Sequence, residues 1–137
     1  RPTALDLARK KAEYNHAEVC LLEGNLAQLL MERGIKLDLL MANLPYIATD
    51  VMAELDVSRY EPHLALDGGT DGLDLIRDLL DQVSEVCADD CPILLEIGYD
   101  QGDALKKLVY DKLGVPCEIL QDYAGLDRIG KFVFHID

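Results

Sequence analysis

The chain has 137 residues, half of them hydrophobic, which suffices for one domain with a buried core. A formal net charge of -13 argues against a surface that tracks nucleic-acid phosphates, and no apolar run is long enough to span a membrane. No signal-peptide pattern opens the chain, so a cytoplasmic protein that meets another protein or a small molecule is expected.

The opening residues read as a helix, with Thr3 as a candidate N-cap and Leu5, Ala8 and Ala12 at helical spacing. Residues 17–22 (AEVCLL) predict a strand that leads into the turn Glu23-Gly24-Asn25-Leu26. A short helix follows over 26–33, ended by Gly34. Residues 37–42 (LDLLMA) are apolar except for Asp38 and read as a strand buried on both faces, as in parallel sheets. It stops at Asn43-Leu44-Pro45-Tyr46. The stretch 47–66 is irregular, with a short helix near 50–55, and three glycines (Gly68, Gly69, Gly72) then make a loop. Leu73, Ile76, Leu80, Val83 and Cys87 mark an amphipathic helix. A second buried strand is expected over 92–97, a helix over 100–113, and closing strands over 117–120 and 131–136. This alternation argues for an α/β fold: a mostly parallel sheet closed by an antiparallel pair.

In open parallel sheets ligands bind at the carboxyl ends of strands, where Asn43 to Tyr46 would lie. The tetrapeptide has a chemical logic of its own. A planar amide or aromatic amine is a weak nucleophile because its lone pair is delocalised. Two acceptors, one per N–H, would hold such a group still and turn its lone pair towards an incoming carbon. The Asn43 side-chain oxygen can be one acceptor and the backbone carbonyl of Leu44 the other, fixed because a residue before proline is held extended. Tyr46 could stack on the planar group. The plain alternative is an ordinary strand-end turn.

Other polar residues have bland readings. Asp38 is structural, His63 has no partner cluster that would make it a base, and Glu96 could face a cleft or a partner. Asp67, Asp71 and Asp74 lack the order of a calcium loop. Cys20, Cys87, Cys91 and Cys117 lack a zinc spacing and read as reduced thiols, so no metal site is expected.

Several segments share order and spacing with one family: ALDLARKKA, the EGNL turn, DLLMANLPYI, YEPHLALDGGTDGLDLIRDLL, LLEIGYDQG and DYAGLDR. Together they resemble the catalytic domain of the HemK/PrmC family of protein-(glutamine-N5) methyltransferases, over essentially the whole chain. The resemblance implies a Rossmann-like sheet and transfer of a methyl group from S-adenosylmethionine to the glutamine of a Gly-Gly-Gln motif in a peptide-chain release factor. It implies Asn43, Pro45 and Tyr46 as catalytic residues, with Leu44 where the commoner motif has a first proline. Glu61 becomes a candidate substrate-side residue. Asn25, where many relatives carry an aspartate near the adenine, becomes a cofactor contact together with Leu26 and Asn43.

The family's glycine-rich loop and ribose-holding acid are absent from residues 1–137, which therefore read as a partial, amino-terminally truncated methyltransferase domain. Such a chain is expected to be inactive alone and to self-associate through an exposed sheet edge at 37–42. Two alternatives remain open on sequence. One is a methyltransferase for adenine N6-type amines of nucleic acid, which the charge disfavours. The other is a non-catalytic domain that keeps the methyltransferase fold.

Overall fold

In the computed structural model the described residues are 2–46, 69 and 71–137. Their elements are helix α1 (Pro2–Tyr14), helix α2 (Gln28–Glu32), strand β1 (Leu40–Ala42), helix α3 (Asp74–Val86), strand β2 (Cys91–Glu96), helix α4 (Gly102–Leu113), strand β3 (Glu118–Gln121) and strand β4 (Asp127–Phe134). The strands form one sheet in the order β1-β2-β4-β3. β1 runs parallel to β2, with Leu40 beside Ile93 and Ala42 beside Leu95. β4 then lies antiparallel to both β2 and β3. The α/β fold thus starts parallel and closes antiparallel, as the alternation of elements predicts.

The core forms where the periodicity places it. Leu73, Ile76, Leu80, Val83 and Cys87 are all buried, and Leu79 and Val86 widen the stripe on α3. Beneath them β2 buries Cys91, Ile93 and Leu95, while its alternate residues stay half-buried. Leu105 and Val109 of α4 and Phe132 and Phe134 of β4 complete the cluster. Each fully buried aliphatic side chain contributes about 1.5–3 kcal/mol relative to exposure.

Four sequence expectations need correction. Residues 17–22 form no strand and carry no regular secondary structure, with 17–20 exposed. A strand is stabilised by the backbone bonds of a neighbour, and among the described residues this stretch meets none. The 37–42 strand shrinks to three residues, preceded by a single parallel bridge between Leu37 and Cys87. It is not buried on both faces: β1 lies at the edge of the sheet, and Met41 is 70% exposed and Leu39 51%. The last strand begins at Asp127, four residues before the expected 131, because the turn at 122–126 delivers the chain straight into pairing with β3. Thr3 is no cap, since α1 already begins at Pro2. The expected short helix at 50–55 lies outside the described residues.

Candidate functional site

Because β1 and β2 are parallel, their carboxyl ends share one side of the sheet, and two turns leave from there: Asn43 to Tyr46 after β1, and Ile97 to Gln101 after β2. β4 is antiparallel, so its amino end comes to the same side, where Ile97 N–H donates to the Arg128 carbonyl at 2.9 Å. The glycine loop before α3 reaches this point as well. A β-carbon built on Gly72 would lie 2.1 Å from the Tyr46 carbonyl oxygen.

Gln101 ties these segments together. Its Oε1 accepts the Gly98 N–H at 2.8 Å, and its Nε2 donates to the Tyr46 carbonyl at 2.8 Å and the Asp71 carbonyl at 3.3 Å. Gln101 is the buried polar residue of the described core, at 7% exposure, and both its N–H donors and its oxygen are engaged. Arg128 holds the other end of Tyr46. Its Nη1 donates to the Tyr46 hydroxyl at 3.3 Å and the Ile97 carbonyl at 3.4 Å, and its Nε faces Asp122 Oδ2 at 3.5 Å. Asp122 is itself fixed by its turn, where its Oδ1 accepts the N–H groups of Ala124 and Leu126. These bonds, Leu126 first, hold its carboxyl below the usual range, with Arg128 adding to the effect.

The glycine loop has its own clamp. Asp71 Oδ1 accepts the Leu73 N–H at 3.0 Å, and both its oxygens meet the Arg77 guanidinium. The Arg77 hydrogen bond is the main reason its carboxyl is lowered to about 2.

Of the residues picked out by sequence, Asn43, Leu44, Pro45 and Tyr46 are therefore brought to the carboxyl end of the parallel pair. Asn43 is exposed, and among the described residues its side chain makes no hydrogen bond, so its oxygen is available. Leu44 packs against the core and Pro45 and Tyr46 are half-buried. Asn25 and Leu26 sit in a separate turn before α2. Asn25 is exposed, with its carbonyl accepting Gln28 N–H, and Leu26 packs on the core with φ +51. A cavity of about 350 Å³ opens at this turn, lined by leucines of α1, of the 21–26 segment and of α2, with Cys20 and Gly24. Glu61 and His63, and Asp67 of the acidic loop, lie outside the described residues. Glu96 closes β2 opposite Ile129.

The thiols are free, and burial pushes that of Cys87 up to about 12, assisted by its neighbour Cys91. Among the described residues one His/Asp group could approach an ion: Asp89, Asp90 and His135, all exposed, at the far end of β2. His135 Nδ1 and Asp90 Oδ1 are 2.7 Å apart, as an ordinary surface pair.

Sequence reading missed Gln101 and Arg128 as site residues. The motifs LLEIGYDQG and DYAGLDR contain them, but nothing local to either segment tells that their partner is Tyr46.

No protein-family model matches the chain. Among curated proteins it is similar to the release factor glutamine methyltransferase of Staphylococcus aureus, 34% identical over 132 residues, covering 94% of this chain and 48% of that protein. The protein of the same name from Moorella thermoacetica is 44% identical over 131 residues, 93% of this chain and 46% of its own length. That of Bacillus subtilis is 35% identical over 128 residues, covering 91% and 44%. The chain thus spans about half the length of the curated relatives it matches. Among solved structures, a release factor-specific protein-(glutamine-N5) methyltransferase from Alicyclobacillus acidocaldarius superposes with a TM-score of 0.42 at 14% identity, covering 87% of this chain and 99% of that one.

Proposed function

We infer the function from one premise: over the stretch it spans, the chain belongs to the release factor glutamine methyltransferase family. On this reading it carries the substrate-facing part of a cytoplasmic N-methyltransferase. The acceptor is the side-chain amide nitrogen of a glutamine, within a Gly-Gly-Gln motif of a peptide-chain release factor. The observation that carries the reading is the placement of Asn43. Its side chain is exposed at the carboxyl end of β1 with no hydrogen bond among the described residues, while Tyr46, three residues on, is pinned at both its carbonyl and its hydroxyl.

The chemistry follows from that arrangement. Asn43 Oδ1 accepts one N–H of the substrate amide and the Leu44 carbonyl accepts the other, so the amide cannot turn and its lone pair faces the donor. Pro45 fixes the direction of that carbonyl through its restraint on residue 44. No strong base is required, because the proton leaves to water as positive charge develops on nitrogen. S-adenosylmethionine, when bound, supplies the methyl group on a positively charged sulfur. The ring end of such a molecule would take the cavity at the Asn25 turn, with Leu26 in its wall, and Asn25, next in sequence to Leu26, is the proposed polar contact through its side-chain oxygen. Glu61 remains a candidate on the substrate side.

The test is methyl transfer to a Gly-Gly-Gln release-factor domain, followed by mass spectrometry. It is run with the chain alone and within the full reading frame that encodes it, beside an adenine-containing oligonucleotide. Glutamine methylation that falls by about 2–4 kcal/mol of transition-state stabilisation in Asn43→Ala, with donor affinity retained, is expected. Methylation of the oligonucleotide instead, or an Asn43→Ala enzyme with the turnover of the unsubstituted one, would remove the reading.

A further inference from the structure

We propose that Gln101 is the positioning residue of this site: it sets the Asn43–Tyr46 turn without touching the substrate, and the role rests on the methyl-transfer reading above.

The argument starts from what a glutamine amide can do. It offers one acceptor oxygen and two N–H donors. Here the oxygen takes the Gly98 N–H, and the nitrogen gives to the carbonyls of Tyr46 and Asp71. The three partners fix the orientation of the amide. Reversing it would set its oxygen against two carbonyl oxygens and its nitrogen against an N–H. Those partners belong to three segments that are distant in sequence, the Tyr46 carbonyl being 55 residues away and the Asp71 carbonyl 30. At 7% exposure, breaking any of these bonds leaves a polar group that water reaches poorly.

The consequence falls on the two proposed acceptors. Pairing of Ala42 with Leu95 anchors the turn where it leaves β1, and Gln101 anchors it at the Tyr46 carbonyl. Only Asn43, Leu44 and Pro45 lie between, and Pro45 has a locked φ. A span this short has little freedom once both ends are held, so the direction of the Leu44 carbonyl is set by a side chain on another element. Arg128 supplements the anchor through the Tyr46 hydroxyl with a longer bond of 3.3 Å, which makes it the weaker of the two.

Two substitutions separate the donor role from simple space-filling. Gln101→Glu keeps the acceptor for Gly98 N–H and loses the donor to Tyr46. Gln101→Met keeps the bulk and loses both. By NMR of the 137-residue chain, the Tyr46 carbonyl-carbon shift should move in both variants, whereas exchange protection of the Gly98 amide should fall only in Gln101→Met. In protein that methylates glutamine, turnover should drop by about 10²-fold in both, with donor affinity retained, since a displacement of about 1 Å at a reacting centre has that effect. An unmoved Tyr46 carbonyl in folded variants would overturn the proposal. So would unchanged turnover, and so would global unfolding of both variants, which would make Gln101 a general core residue. If the unsubstituted protein methylates no glutamine, the methyl-transfer reading fails, and the carbonyl and exchange shifts still judge Gln101 as the brace of the turn.

Discussion

Gly72→Ala probes the convergence of segments at Tyr46 more directly than any change at the turn itself. Gly72 has φ +80, and an added β-carbon would sit 2.1 Å from the Tyr46 carbonyl oxygen and 2.4 Å from Gln101 Nε2. An L-residue in the left-handed region costs about 1–2 kcal/mol. Forcing a methyl group into a filled site costs roughly another 1–3 kcal/mol. A total loss of about 2–5 kcal/mol is therefore expected. Gly114, which caps α4 at φ +67, supplies the control, because nothing lies within 4 Å of its built β-carbon. Gly114→Ala should carry the backbone cost alone, about 1–2 kcal/mol. Urea unfolding of the parent and both variants measures the difference, provided the three slopes agree. Equal losses in the two variants would refute the packing of the glycine loop against the Tyr46 carbonyl.

Leu44→Pro keeps the carbonyl that the mechanism needs and gives up part of Leu44's packing on the core. Stability should fall by about 1 kcal/mol with turnover kept, and lost turnover in a folded variant would give the leucine side chain a further role. Asp71, lowered to about 2 from 3.8, stabilises the fold at pH above about 4, and that contribution disappears as pH falls through 2. Thermal melts between pH 5 and 2 should show the acid-side loss shrink in Arg77→Ala; because both side chains are more than a third exposed, the substitution itself should cost no more than about 1 kcal/mol near neutrality. The open edge of β1, with Leu39 and Met41 exposed, should pair with a second copy of the chain; a sedimentation profile that stays monomeric as concentration rises would remove that expectation.

The parts of the fold that could be read from sequence are those whose pattern and partner are both local. The stripe from Leu73 to Cys87 repeats at helical spacing, and every residue in it is buried. The apolar run around 92–97 is a strand because its length, its bounding turns and its burial all agree. The misreadings have a different cause. Residues 17–22 have strand-like composition, but a strand also needs a neighbour, and composition does not supply one. The apolar 37–42 run reads as buried on both faces, whereas only 40–42 pair with β2 and Met41 lies in solvent. At the candidate site, the position of Asn43 to Tyr46 at the carboxyl end of β1 was legible because the turn directly follows the apolar run. Gln101 and Arg128 were not, because their contacts to Tyr46 cross 55 and 82 residues of chain and depend on the final topology.

That topology explains why an antiparallel closure matters for the site. β4 is eight residues long, about 25 Å at a strand's rise. Arg128 is the second residue of β4, so in a strand running parallel to β2 it would sit at the amino end of the sheet, some 20 Å from Tyr46. Reversing β4 brings Arg128 beside the carboxyl ends of β1 and β2, with its own turn behind it to hold Asp122 in place. α4 begins on the same side, since Gln101 immediately precedes it and follows the turn out of β2. Two parallel strands alone would present Asn43 on a three-residue strand at an edge. The reversed strand and the helix start give its turn a far anchor at Tyr46, and on the proposed reading that second anchor is what holds the two acceptors at a fixed separation.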